Sequence, residues 1–132
     1  MRKLISPHLS VRECRCKEGC GVGTNPSELI DPYVASLFEL IREACGGNPL
    51  IITSGWRCIK HNKAVGGHSK SSHLLGMALD LRKPNFMSLD EFYAVCDRIV
   101  ADGGLGRYLK KGFCHIDCGN IVGLQKHRRW VK

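Results

Sequence analysis

Apolar and polar positions along the chain follow two different periods, and together they predict a mixed α and β fold. After Asp31 and Pro32, which suit a helix cap and first turn, apolar residues recur at helical spacing as far as Gly46. A second helix is expected after Ser88, because Ser88 and Glu91 form a capping box ahead of another helical apolar pattern. The pattern therefore predicts two amphipathic helices.

Short apolar runs predict strands between and after these helices. Residues 50–54 are rich in β-branched side chains and stop at Gly55, as a buried strand does. Residues 76–81 are a plausible second strand, although their Leu, Met and Ala leave a helix possible. Two further strands are expected around residues 105–109 and 113–117. The predicted fold class is α+β.

The stretch between the first strand and the second is long and polar. Residues 55–72 are rich in Gly, Lys, His and Ser, which indicates an ordered loop. Loops of this length in compact domains are usually functional.

The length of 132 residues suits a single domain, which we place at 1–132 with a cysteine-rich segment over about residues 1–25. No apolar run approaches the roughly 20 residues that cross a bilayer, so no transmembrane segment is expected. The start of the chain is positive but lacks the apolar stretch of a signal peptide. We therefore expect any export to use another route.

The net charge of +8 comes from the second part of the chain. Residues 1–50 hold six Lys/Arg and six Asp/Glu, whereas residues 51–132 hold fourteen and six. Such a surface attracts nucleic acid, anionic membranes or the bacterial wall, or simply keeps the protein soluble. The basic tail at 126–132 lacks the interleaved aromatic residues and the reading motif of a nucleic-acid-binding protein, so no nucleic-acid partner is expected.

Three of the eight cysteines, Cys14, Cys16 and Cys20, lie close together near the N-terminus. Without a secretion signal, mostly reduced thiols are expected. One interpretation is a structural zinc site at these three residues, completed by Cys58 or another residue. The other is free thiols, because the spacing is not that of a standard zinc knuckle.

Two histidines lie in informative surroundings. His73 precedes Asp80 by seven residues across Gly76, which permits a tight bend and could bring imidazole and carboxylate together. His115 and Asp117 are alternate residues of a predicted strand, so they share a face. Each pair also has a simpler interpretation, as a capped loop histidine and as surface residues on a half-exposed strand.

These segments together resemble the zinc D-Ala-D-Ala carboxypeptidase and murein endopeptidase family. The resemblance rests on three motifs in order: Ser54-Gly55-Trp56-Arg57, Ser71-x-His73-x-x-Gly76-x-Ala78-x-Asp80, and His115-x-Asp117. It covers about residues 5–130, and the broader relatives include lysostaphin-type enzymes and the Hedgehog signalling domain. It implies a small antiparallel sheet that carries a zinc site, with flanking helices.

Carried over residue by residue, the resemblance implies that His73, Asp80 and His115 bind one catalytic Zn²⁺. Two histidines and a carboxylate leave a fourth position for water, as a hydrolytic zinc requires. Arg57 matches the family arginine that binds a substrate carboxylate, a task that suits its planar guanidinium. Ser71 is expected to hold the loop or the substrate backbone.

The general base is where the chain departs from the family. Many members carry Glu or Asp three residues before the last zinc histidine, and this chain has Gly112 there. Asp117 is the predicted catalytic base in its place, with Asp102 and His68 as further candidates. Alternatively, Asp117 orients a neighbouring ligand.

The function expected from the resemblance is hydrolysis of amide bonds in peptidoglycan stem peptides or cross-links, by a monomer that acts as an endopeptidase or a carboxypeptidase. The missing signal favours a phage or prophage lysis enzyme, or a virion-associated one, that stays cytoplasmic until its release. A cytoplasmic dipeptidase is a further possibility. The main alternative is a catalytically inactive, metal-containing module that binds the cell wall, which Gly112 supports.

Overall fold

The computed structural model describes residues 3–25 and 28–132. Within them, the strands are β1 (Leu4–Ser6), β2 (Leu9–Ser10), β3 (Ile52–Ser54), β4 (Ala78–Arg82), β5 (Gly104–Tyr108), β6 (Phe113–Asp117) and β7 (Arg128–Val131). The α-helices are α1 (Val11–Cys14), α2 (Pro32–Ala44), α3 (Ile59–Ala64) and α4 (Leu89–Val100). The fold is α+β, as predicted. None of the helices in the described ranges is both long and apolar enough to cross a membrane.

A five-stranded sheet with the order β3-β4-β6-β5-β7 forms the centre of the molecule. The first four strands pair antiparallel, as expected. The edge strand β7 pairs parallel to β5. The sequence analysis did not predict β7, which it left as a basic end. The register that matters for the site is the one between β4 and β6, where Asp80 lies directly opposite His115.

Helices α2 and α4 cover one face of this sheet and bury the main core. Alternate residues of the central strands point to that side, namely Leu79, Leu81, Leu105, Cys114 and Ile116. The helix starts are those predicted. Asp31 accepts a hydrogen bond from the backbone N–H of Tyr33, and Ser88 and Glu91 form the capping box.

The segment expected to be a long loop contains helical structure, which corrects the prediction. Helix α3 begins after Cys58, whose thiol caps it by accepting a hydrogen bond from the backbone N–H of His61. Sequence reasoning missed this start because thiols are not among the preferred capping groups. A 3₁₀ helix at Ser72–Leu75 then leads into β4, which begins at Ala78.

The N-terminal segment packs beside the connection between β3 and α3. The backbone N–H of Trp56 donates to the carbonyl of Cys14 at 2.7 Å. A Cβ on Gly55 would lie 2.5 Å from the Cys14 carbonyl oxygen, so this approach needs glycine. The cysteine-rich segment is thereby placed next to the residues that lead to Arg57.

Candidate active site

A cleft of about 980 Å³ opens beside the sheet, and its lining includes His73, Asp80 and His115. Residues from β4, β6, β7 and the segment 65–73 contribute to it. Because side chains alternate along a strand, Asp80, His115 and Asp117 point away from the helices that bury their neighbours. The strand alternation predicted from sequence, with Cys114 on the opposite side from His115, is confirmed.

Hydrogen bonds to its backbone N–H and to its ring fix the position of His73. The hydroxyl of Ser71 caps the 3₁₀ helix by accepting a hydrogen bond from the His73 N–H, and Gly76 ends the helix at a φ of 68°. The imidazole Nδ1 lies 2.6 Å from the carbonyl oxygen of Gly55. Since a carbonyl only accepts, Nδ1 carries the proton, and the lone pair of Nε2 faces the cleft.

Asp80 and His115 meet the free nitrogen of His73 at one point. Asp80 Oδ1 lies 3.1 Å from His73 Nε2 and 3.0 Å from His115 Nδ1. The two imidazole nitrogens are 3.2 Å apart. All three residues are buried. The structure therefore brings together the three residues predicted as metal ligands.

This triangle has the size and the chemistry of a zinc site. Tetrahedral zinc with bonds of about 2.0–2.1 Å holds its nitrogen and oxygen ligands about 3.3 Å apart, close to the separations seen here. His115 Nε2 faces the carboxylate of Asp117 at 2.7 Å, so in neutral His115 the proton lies on that side and Nδ1 offers a lone pair. Three lone pairs then converge where only a cation stabilises them.

The pKa values of His73, Asp80 and His115 are shifted by burial and by the charges of the three residues on one another. Burial lowers the pKa of His73, although Asp80 opposes the shift. Burial alone would raise the pKa of Asp80, but His73 and His115 hold it well below its usual range. For His115, the hydrogen bonds to Asp117 and Asp80 outweigh burial and raise the pKa to about 9.

Asp117 is surrounded by donors. Its Oδ2 faces His115 Nε2 and the guanidinium of Arg128, and its Oδ1 accepts the backbone N–H groups of Gly104 at 3.2 Å and Gly119 at 2.9 Å and a further N–H of Arg128. Burial would raise the pKa of Asp117, but His115 and Arg128 keep it below its usual range. This geometry matches the alternative role, a carboxylate that orients His115.

Arg57 lines the cleft, and its guanidinium donates hydrogen bonds to three neighbouring side chains. Nε donates to Ser54 Oγ at 3.0 Å, Nη1 to Asn62 Oδ1 at 3.3 Å and Nη2 to Asp80 Oδ2 at 3.0 Å. Of the five N–H groups of a guanidinium, these contacts use three. Each terminal nitrogen keeps one N–H that these contacts do not use.

The other predicted site residues fall into two groups. Ser71 and His68 line the cleft, and Asp102 is outside its lining. Gly112 lies in the turn between β5 and β6 with a φ of 68°. A residue with a side chain would have a strained backbone at that position.

Sequence reasoning missed the contribution of β7. Arg128 binds Asp117, and the ring of Trp130 packs 5.1 Å from the ring of His115. Gly104 and Gly106 make room for these side chains, because a Cβ on Gly106 would lie 2.4 Å from the Trp130 ring. The available signal was the alternation Arg128-x-Trp130 matched by Gly104-x-Gly106.

The cysteine prediction needs a correction. Cys14 is fully buried in the hydrophobic core and does not join the other two. Instead, the sulfur atoms of Cys16, Cys20 and Cys58 come within 4.8 Å of one another. Cys14 points into the core because it shares the buried face of helix α1 with Val11.

Comparison with known proteins identifies the family of the chain. A search of curated proteins finds no match to this chain. The sequence profile described as Peptidase M15 matches residues 7–117, a span that contains His73, Asp80 and His115. The chain therefore belongs to the peptidase M15 family, whose members are zinc-dependent metallopeptidases.

Proposed function

We propose that this protein is a zinc peptidase that hydrolyses amide bonds in the stem peptides or cross-links of peptidoglycan, with His73, Asp80 and His115 as the metal ligands. The observation that carries the proposal is the convergence of three lone pairs, within 3.0–3.2 Å of one another, on the floor of a cleft. Three protein ligands leave zinc the open position that hydrolysis requires.

Each supporting residue has a task in this proposal. When bound, zinc acts as a Lewis acid that polarises the scissile carbonyl and lowers the pKa of a water molecule. Gly55 and Asp117 fix the two imidazole rings through their outer nitrogens. Arg57 holds Asp80 and offers its two remaining N–H groups to a substrate carboxylate or carbonyl.

We assign Asp117 to orientation of His115 rather than to proton transfer. Its two oxygens already accept hydrogen bonds from five N–H groups, and its lowered pKa makes it a weak base. His68 is the candidate base, because it lines the cleft and is exposed to solvent. Its Nδ1 lone pair accepts the backbone N–H of Lys70 at 3.0 Å, so this hydrogen bond has to open before the imidazole takes a proton. Asp102 does not line the cleft.

The charge of the cleft supports a substrate with carboxylates. Four lysines line it, Lys17, Lys70, Lys111 and Lys132, whereas the acidic side chains of the lining are Asp80 and Asp117. Both carboxylates are held by arginine. Neither carboxylate pairs with a lysine of the lining, so the positive charge of these lysines can attract anionic stem peptides. We propose that the enzyme reaches this substrate when it is released during phage lysis.

Digestion of purified cell walls by the zinc-loaded protein tests the proposal. Mass spectrometry of the soluble fragments should show new free amines and carboxylates at one type of peptide bond. Loss of a terminal residue alone would indicate a carboxypeptidase, and separated cross-linked stems an endopeptidase. Intact walls after prolonged incubation with protein of verified zinc content would contradict the proposal.

A wall-binding module without catalysis is the second candidate, favoured by Gly112 and by the donors around Asp117. It predicts that the protein sediments with walls and releases no fragments. His68→Gln separates the two, because an enzyme that uses His68 as its base would keep its zinc and lose turnover by about a hundredfold. A module would have no turnover to lose.

A further inference from the structure

A second cluster of metal-binding side chains lies outside the candidate active site. The sulfur atoms of Cys16, Cys20 and Cys58 all lie within 4.8 Å of one another. Cys16 and Cys20 come from the segment after α1, and Cys58 precedes α3, so the fold brings them together from distant parts of the sequence. None of the three takes part in the proposed peptidase chemistry.

The backbone prepares two of these sulfurs for negative charge. The N–H of Cys58 donates to Cys16 Sγ at 3.4 Å, and the N–H of His61 donates to Cys58 Sγ at 3.3 Å. Hydrogen bonds from N–H groups to sulfur stabilise a thiolate and support the ligands of a metal. Cys20 is exposed, which gives an ion a way in and leaves a fourth position for water.

A metal accounts for this arrangement better than a disulfide does. Three thiols form at most one disulfide and leave one sulfur over, whereas a metal engages all three. Tetrahedral zinc with Zn–S bonds of about 2.3 Å holds its sulfurs about 3.8 Å apart, so modest side-chain rotations close the cluster around an ion.

We propose that Cys16, Cys20 and Cys58 bind a second zinc ion, which ties the N-terminal segment to the loop that carries Arg57. Cys58 directly follows Arg57, whose backbone N–H donates to His73 at 3.1 Å and whose side chain holds Asp80. Between the segment and this loop, the backbone bond from Trp56 to Cys14 is a second tie. The ion has a structural role and holds Arg57 in place.

Metal analysis of the full chain tests the proposal. After dialysis against a weak chelator, wild type should retain two equivalents of zinc and Cys20→Ser one. Because Cys20 is exposed, its substitution should leave the core intact. Cys45→Ala is the matched control: Cys45 is a free thiol of the core, and its variant should keep both equivalents. Equal zinc in wild type and Cys20→Ser would overturn the proposal.

Two further measurements on soluble protein give independent readouts. Cobalt-substituted wild type should show an intense sulfur-to-cobalt band in the near ultraviolet that Cys20→Ser lacks. Trypsin should cut after Arg15 or Lys17 roughly tenfold faster or more in Cys20→Ser, because the segment opens more often. A wild-type mass two hydrogens lower, which marks a disulfide, would also overturn the proposal, as would unchanged cobalt spectra.

Discussion

The two clusters of metal-binding residues differ in what holds them. His73, Asp80 and His115 are buried; two of them face each other across the register of β4 and β6, and the third lies in a 3₁₀ helix that Ser71 caps. The cysteines lie on connecting segments, and one of them is exposed. Two residues of the first cluster lie on paired strands of the sheet, whereas the second cluster joins two connecting segments.

From this difference we infer two roles, catalysis at the first cluster and structural support at the second. Nitrogen and oxygen ligands with a supporting group behind each imidazole, on the floor of a cleft, suit a metal that must act on a substrate. Thiolates with backbone N–H groups on their sulfurs suit a metal that fixes loops. Measuring zinc content and activity separately in substituted variants tests these two roles.

Removal of a proposed ligand should produce the largest effect. In His73→Ala, activity on walls should fall on the order of a thousandfold or more, because the Lewis acid is lost, while the cysteine-bound equivalent of zinc remains. Metal analysis beside an activity assay measures both. His8→Ala is the control, since His8 lies on the β1–β2 hairpin and pairs with Glu39. Full activity in His73→Ala would show that His73 is not part of the active site.

Asp117→Asn should have the next largest effect and should reveal the role of Asp117. If Asp117 orients His115, zinc affinity falls by about 10–100-fold, because the amide holds the imidazole less firmly and Arg128 loses its partner. Competition with a fluorescent chelator measures the affinity. Unchanged affinity with turnover reduced on the order of a hundredfold would instead identify Asp117 as the base.

Arg57→Lys should weaken kcat/KM by roughly tenfold, because an ammonium cannot replace the flat set of N–H groups. The split between parameters is informative. A higher KM with normal zinc affinity indicates contact with substrate, and lower zinc affinity indicates that support of Asp80 dominates. Unchanged kinetics and unchanged zinc content would exclude Arg57 from both tasks.

Local signals were sufficient for the parts of the fold that depend on neighbours in sequence. The caps at Asp31 and Ser88 and the alternation of Cys114, His115 and Ile116 could be read directly, since each depends on residues a few positions apart. The metal triad followed from the resemblance of its motifs to a known family, which spacing alone would not have identified.

The contacts that sequence reasoning missed join distant segments. Arg128 reaches Asp117 because β7 adds to the sheet in parallel. The available signal of that pairing, the match of Arg128-x-Trp130 to Gly104-x-Gly106, joins two separate segments and is not visible in the basic end alone. Cys58 was named as one residue that could complete the cysteine site, but the absence of Cys14 from the cluster was missed. The fold brings Cys58 to Cys16, more than forty positions away, where the Cys58 N–H donates a hydrogen bond to Cys16 Sγ. Such partners depend on the whole topology.

The smallest effect is expected far from both clusters and serves as a baseline. Ser88→Ala removes the cap of α4 and should lower the free energy of unfolding by about 1 kcal/mol. Zinc content and activity should not change, because α4 packs on the other face of the sheet. Urea unfolding followed by circular dichroism measures the loss. Reduced zinc content here would show that metal loss in other variants reflects general instability.

A crystal structure of the purified protein, with anomalous data collected on both sides of the zinc absorption edge, would show whether the three residues hold zinc. We expect one zinc within about 2.0–2.2 Å of His73 Nε2, an oxygen of Asp80 and His115 Nδ1, with its fourth position open to the cleft. Absence of zinc there, or a fourth protein side chain that closes the coordination, would contradict this expectation.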